Sequence, residues 1–251
     1  MRILLINANT SADITDRLCA IANAMAPDGV VFEGATGRFG ARYIASRAAS
    51  AIAGHAAIDA FATQGEGAGA VLLACFGDPG LDALKEMSPV PVIGLAEASA
   101  DAALRLGARF GVVTGGAVWQ PMLTEFFAGR GHAAALSGVR TVAPTGAEIA
   151  RNPEAALALL SATCRACVEQ DGAEVVILGG AGLAGLAARV APRLGVPVLC
   201  SVEEGVRAVL AALGQAGGQA GAGMLAPAPV ETIGLSPALA SMLRNPPCHR
   251  P

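Results

Sequence analysis

Charge is scarce in this chain. Asp, Glu, Lys and Arg make up only 15% of the 251 residues and leave a net charge of −3. That balance supplies no basic surface for a phosphate backbone or an anionic membrane, so neither nucleic acid nor membrane is expected as a partner. Long apolar runs are lacking as well. Although 53% of the residues are hydrophobic, polar groups interrupt them every few positions, and no run approaches the ~18 residues of a membrane span. The first apolar run, Ile3 to Ile6, stops at Asn7 and is too short for a secretory signal. A soluble, cytoplasmic protein is expected, in which the six cysteines are free thiols rather than a disulfide frame. Histidine is limited to His55, His132 and His249. Cys164-x-x-Cys167 therefore finds no second pair to complete a zinc site, and its place beside Leu159, Leu160 and Val168 in a helical stretch points to core packing.

What is present in quantity is apolar surface, enough for one large or two small domains to bury a core. The most informative stretch runs from Val71 to Gly80, Val-Leu-Leu-Ala-Cys-Phe-Gly-Asp-Pro-Gly. A continuous apolar run ends at Cys75 and gives way to residues whose backbone preferences make turns. This is the pattern of a buried parallel strand with a thiol at its carboxyl end, where open α/β sheets bind their ligands. A lone cysteine is commonly a small core hydrophobe. Its position beside a polar, glycine-rich loop marks Cys75 instead as a functional thiol.

Strands are expected at 2–6, 30–33, 71–74, 90–93, 110–113, 139–142, 174–178 and 196–199. Helical spacing covers 13–25, 43–65, 81–87, 118–129, 153–170, 187–194, 203–213 and 237–244. The alternation predicts parallel sheets with helices on their faces. The stretch 214–223, nearly all Gly, Ala and Gln, is a compositional loop.

The chain also repeats itself. Leu72-Leu73-Ala74-Cys75 falls on Ile177-Leu178-Gly179-Gly180, Val90-Pro91-Val92 on Val196-Pro197-Val198, Glu97 on Glu203, and the strand from Arg2 to Asn7 on that from Arg109 to Thr114. The expected architecture is α/β, two pseudo-symmetric lobes, each a short, mostly parallel sheet with flanking helices. Residues 1–97 plus 206–251 form the first lobe and 98–205 the second. Two such lobes place the loops after their strands around a common cleft for a small molecule. In that duplication the partner of Cys75 is Gly180, which has no side chain for acid or base work.

Taken together, Asn7-Ala8-Asn9-Thr10-Ser11, Ala74-Cys75-Phe76-Gly77-Asp78-Pro79-Gly80-Leu81, Pro91-Val92-Ile93-Gly94 with Glu97-Ala98, and Leu178-Gly179-Gly180-Ala181-Gly182 resemble the aspartate/glutamate/hydantoin racemase superfamily. The likeness is to its hydantoin and allantoin racemase branch and covers roughly the first 210 residues. The resemblance implies an isomerase without metal or organic cofactor, a homo-oligomer, and a cysteine from each lobe on opposite faces of a substrate carbon next to a carbonyl. Many members carry the second cysteine where this chain has Gly180. The superfamily also includes decarboxylases with one cysteine, held in the other lobe; a single acid suffices there because a planar enolate needs a proton from one side only. A degenerate binder that keeps the cleft without the chemistry is a further alternative.

Taking a proton from a carbon beside a carbonyl needs a base on one face, and inversion needs an acid on the other. Cys75 supplies one. Cys200, Glu97, Glu203 or a water are the candidates for the other. The residues expected to hold substrate are Asn9, Thr10, Phe76, Gly77, Thr114, Gly180 and Ala181, with the amides of Phe76 and Gly77 suited to an enolate oxygen. Ser11 is expected to cap the first helix, and Asp78 either to serve the cleft or to hydrogen-bond within its own turn. The loop 179–182 lacks the lysine of a P-loop and the spaced glycines of a dinucleotide fingerprint.

Overall fold

A computed structural model describes residues 1–214 and 228–246. The compositional loop expected at 214–223 lies, beyond Gly214, outside the described residues. Two four-stranded parallel sheets form the frame. The first contains β1 (Arg2–Asn7), β2 (Val31–Thr36), β3 (Ala70–Leu73) and β4 (Val92–Gly94) in the order β2-β1-β3-β4. The second contains β5 (Phe110–Gly115), β6 (Leu136–Val142), β7 (Val175–Leu178) and β8 (Val198–Cys200) in the order β6-β5-β7-β8. The orders are the same, and so is the register of β1 with β3 and of β5 with β7; the β5–β6 pair departs from β1–β2 by a register shift between Phe110 and Gly111. Ala74 N–H donates to Ile6 O at 2.8 Å in one sheet, and its repeat partner Gly179 N–H donates to Val113 O at 2.9 Å in the other.

The central strands are buried along their length: Ile3 to Ile6, Ala70 to Leu73, and Val175 to Leu178. Continuous apolar runs do this because helices cover both faces of a parallel sheet. Strand order reverses between β1 and β3 in one sheet and between β5 and β7 in the other. Each reversal opens a crevice at the carboxyl ends of the strands. The Asn9 and Cys75 loops flank the first crevice, and the Thr114 and Gly180 loops flank the second.

Helices α1 (Ala12–Met25), α2 (Arg47–Gln64) and α3 (Leu81–Met87) follow the first three strands; α4 (Leu95–Leu104) follows β4. In the second half come α5 (Trp119–Gly129), α6 (Gly146–Arg151), α7 (Pro153–Glu169), α8 (Ala187–Val190), α9 (Ser201–Gly214) and α10 (Pro237–Arg244). Helix α4 leaves the first sheet and packs against β5, β7 and β8, whereas α9 leaves the second sheet and packs against β3 and β4. The two helices cross closely. A side chain at Gly205 would collide with Leu95, and the face of α4 there is built from Ala96, Ser99, Ala100 and Ala103, all buried.

Three local expectations are corrected. Helix α2 starts at Arg47 rather than at 43, because the Ser46 side chain accepts the Ala49 N–H and fixes the start there. The stretch 37–46 is consequently a loop. Ser11 occupies the N-cap position of α1 but makes no side-chain cap; its hydroxyl donates to Arg42 O at 2.9 Å, tying that loop down. Helices α4 and α6 were not anticipated. For α6 a local signal existed, since Thr145 and Glu148 form a reciprocal capping box. Cys164 and Cys167 are buried in α7 as core side chains.

Candidate active site

A cleft of about 500 Å³ lies between the strand ends of the two sheets, within the size range of small-ligand sites. From the first sheet come Asn9, Ala74, Cys75 and Phe76; from the second come Thr114, Gly115 and the loop from Gly179 to Leu183. The equivalent crossovers of the two lobes complete the wall. The loop 37–46 contributes Arg42, Tyr43 and Ile44, and α6 contributes Gly146, Ala147, Ala150 and Arg151.

Cys75 is half-buried, where β3 ends. Burial, and then the neighbouring carboxylate of Asp78, push its thiol up to about 12. Asp78 does not itself line the cleft. It sits at φ +46 and accepts the N–H groups of Ala96 (2.9 Å) and Glu97 (2.8 Å) at the first turn of α4. Its backbone closes its own turn, N–H to Cys75 O at 2.9 Å and carbonyl from Leu81 N–H at 3.2 Å, while its side chain leaves that turn for α4 rather than the cleft, and a side chain at Gly94 would overlap its carboxylate. Burial outweighs those two hydrogen bonds and holds the Asp78 carboxyl up at about 7.

Two consequences follow for Asp78→Asn. A neutral amide stops opposing the Cys75 thiolate, so alkylation of Cys75, followed by peptide mass spectrometry, is expected to quicken several-fold at pH 8. At pH 6 Asp78 already carries its proton, and little change is expected. Because the folded pKa lies above the ordinary carboxylate value, the native protein holds the extra proton between about pH 4 and 7, and stability falls as pH rises through that window. The melting advantage of native protein over the variant should therefore shrink from pH 5 to 7. A constant difference would dismiss the buried carboxyl as its source.

The loops that carry Asn9 and the thiol hold unpaired donors. Asn9 Oδ1 accepts Ser11 N–H (2.9 Å) and Asn7 Nδ2 (3.0 Å), which leaves Asn9 Nδ2 as a donor without an acceptor among the described residues. The N–H groups of Cys75, Phe76 and Gly77 also have no acceptor among those residues. Thr114 donates its hydroxyl to Gly179 O at 2.8 Å and keeps its oxygen lone pairs. The two loops that matter meet through Phe76, whose ring packs so closely on Gly179 that no side chain fits there. Tyr43 reaches from the first lobe to donate to Gly115 O at 3.1 Å. Among the described residues no group of three His, Cys, Asp or Glu side chains could hold a metal ion, and no helix is long and apolar enough to cross a membrane.

The Asp/Glu/hydantoin racemase family model matches residues 3–209, nearly the whole of both sheets. The chain belongs to that family. A hydantoin racemase of Paenarthrobacter aurescens is 32% identical over 218 residues, 85% of this chain and 92% of that one. A hydantoin racemase of Pseudomonas sp. (strain NS671) is 39% identical over 142 residues, a match spanning 57% of each chain. Allantoin racemase from Pseudomonas fluorescens superposes with a TM-score of 0.88 at 31% identity, covering 93% of this chain and all of that one. The chain is an enzyme of the racemase type, an isomerase, on the hydantoin/allantoin branch.

Within this racemase fold the expected site residues divide. Asn9, Cys75, Phe76, Thr114, Gly180 and Ala181 line the cleft together; Thr10 and Gly77 do not. The Asn9 turn carries Thr10 away, where its N–H donates to Ala41 O at 3.1 Å. Gly77, at φ +99, lies against Trp119, whose ring would stand 2.9 Å from any Cβ there. The candidates for a second acid or base are also outside the cleft lining. Glu97 is held by Lys85 (2.6 Å) and Arg130 (2.9 Å), Glu203 pairs with Arg207 (2.9 Å), and Cys200 is buried. Lining residues that the sequence did not single out include Asp13, Arg17, Arg42, Tyr43, Trp119 and Arg151.

Proposed function

We propose that the enzyme racemises a 5-substituted hydantoin or a related cyclic ureide without a cofactor, using Cys75 to move the proton at the ring carbon next to the carbonyl. The observation that carries this reading is a thiol in a cleft that is also lined by residues with free donors, Asn9 through Nδ2 and Cys75 and Phe76 through their backbone amides. The thiolate takes the proton, the electron pair left on carbon moves into the carbonyl, and the amide donors stabilise the enolate oxygen that results. The thiol then returns a proton to the same carbon. The hydantoin and allantoin racemases among the relatives support the substrate class.

Gly180 makes the two faces of that carbon unequal. Cys75 serves one face. On the other stand Thr114, the glycine backbone and solvent, so reprotonation there is slower. Heavy water distinguishes this from a two-thiol site. Starting from one enantiomer, deuterium should enter the unreacted substrate faster than optical activity is lost, because the same thiol returns exchanged protons to the face it took them from. Product deuterated while remaining substrate stays unlabelled would reveal an efficient second acid. Exchange should also rise with pH as the thiolate fraction grows, but less than tenfold per unit near pH 7, where Asp78 ionises and opposes the thiolate. An absence of exchange with every hydantoin and with allantoin would reject the racemase reading. Gly180 alone favours a second reading, decarboxylation of a malonate half-acid by one thiol, which release of carbon dioxide from a substituted malonate would establish.

A further inference from the structure

The cleft is positive although the chain is acidic. Arg17, Arg42 and Arg151 line it, against the single carboxylate of Asp13. None of the three arginines forms a salt bridge among the described residues, whereas Arg38, Arg47, Arg130, Arg140, Arg189 and Arg207 each do. Arg17 reaches from α1 across to the second lobe, where Ala150 O (3.5 Å) and Ala184 O (3.4 Å) orient its guanidinium without neutralising it. Arg42 is fixed through its backbone, its carbonyl accepting the Ser11 hydroxyl, and its exposed side chain has no partner among the described residues. Arg151 donates to Ala147 O of its own helix at 3.3 Å, and its charge also acts on the Glu148 carboxylate without forming a salt bridge among the described residues. The nearby Glu148 lies outside the cleft lining, its carboxylate folded back on Thr145 in the capping box.

Arg42 and Arg151 occupy corresponding crossovers, one after β2 and one after β6, so the duplicated lobes present a cation from each side. Both side chains are exposed and the thiol is half-buried, which sets the charges at the rim and the chemistry on the floor. Cys75 and the three arginines line the same cleft, so a substituent on a ring bound at the thiol shares that cleft with the guanidinium groups. The cleft volume, about 500 Å³, is far more than a five-membered ring fills. Guanidinium groups match carboxylate geometry, and charge-assisted hydrogen bonds are stronger than neutral ones. We propose, building on the hydantoin racemase reading, that the preferred substrates are hydantoins whose 5-substituent carries a carboxylate, held at the rim by Arg17, Arg42 and Arg151.

The test compares 5-(2-carboxyethyl)hydantoin with its isosteric carboxamide, 5-(2-carbamoylethyl)hydantoin, on the native full-length enzyme. The carboxylate should have the higher kcat/KM by about tenfold at low ionic strength, through KM rather than kcat. That ratio should contract towards one in about 0.5 M salt, where charges at an exposed rim are screened. In Arg42→Gln and Arg151→Gln the ratio should contract at low salt too; the salt series on native protein needs no variant to fold. A ratio of one or below, or a ratio unmoved by salt, overturns the proposal, while turnover of the carboxamide would leave the racemase reading standing. If neither compound exchanges its ring proton, exchange with allantoin and other hydantoins decides the racemase reading, and calorimetric binding decides the present one. Tighter, salt-sensitive binding of the carboxylate that weakens in both variants supports it, and equal or undetectable binding of the two overturns it.

Discussion

Alanine at position 75 is expected to lower proton exchange and racemisation on the order of 10³-fold, the scale of losing a positioned acid or base. The melting temperature should move by no more than a few degrees. The first half of that expectation rests on isolation. Cys75 is the thiol lining the cleft, and the side chains considered as substitutes are occupied elsewhere: Glu97 with Lys85 and Arg130, Glu203 with Arg207, Cys200 in the core. Asp13 and Tyr43 also line the cleft, but Tyr43 spends its proton on Gly115 O and burial raises its pKa above the ordinary phenol value. Tyr43 therefore does not readily replace a thiolate. The second half rests on size. Replacing a half-buried thiol by a methyl group removes one atom and leaves no polar group unpaired, a change of about 1 kcal/mol or less, and hence about 2–4 °C in a chain of this length. Chiral chromatography of a hydantoin substrate and a thermal melt on the same sample check both. Activity within tenfold of native would remove Cys75 from the chemistry, and a collapsed melt would make it a packing residue instead.

The frame and the thiol were legible because both depend on short-range pattern. A run such as Val71 to Leu73 buries both faces, so its composition identifies a central parallel strand, and the turn residues after Cys75 fix where it ends. The duplication then located the second sheet from the first. What pattern could not carry was the wall of the cleft. Tyr43 sits in a stretch rich enough in alanine to read as helix, and only the cap at Ser46 excludes it. Arg17 lies on an amphipathic helix, where a charged residue reads as solvated surface; its approach to Ala150 and Ala184 is a product of how the lobes meet. Thr10 and Gly77 lie outside the cleft lining for the complementary reason. Adjacency in sequence to Asn9 and Phe76 does not fix which way a loop turns, and at each the backbone carries the neighbour out of the cleft. Asp78 combines the two cases, since its turn was evident but its partner, the start of α4, is a contact between elements distant in the chain.

The loop opposite the thiol yields the remaining large effect. Gly180→Cys would restore the second thiol that the family resemblance leads one to expect, and the space for it exists: a Cβ built there meets only Thr114 Oγ1, at 3.8 Å. Backbone conformation opposes it. Gly180 stands at φ +110, ψ 149, a region essentially reserved for glycine. The loop has little freedom to relax. Gly180 N–H is held by Ser201 Oγ at 3.0 Å, Phe76 closes off Gly179, and a side chain at Gly182 would strike Gly146 O. The expected result is a loss of about 1–3 kcal/mol, seen as a fall of roughly 2–12 °C in melting temperature, with racemisation no faster than native because a thiol displaced by even an ångström is poorly placed for proton transfer. Gly180→Ala separates strain from obstruction. Backbone strain gives both variants the same loss of stability, whereas obstruction by the longer side chain leaves alanine close to native. Should the cysteine variant melt like the native enzyme, racemise at least tenfold faster and deliver deuterium to product ahead of substrate, then the loop is adaptable and the missing thiol alone limited inversion.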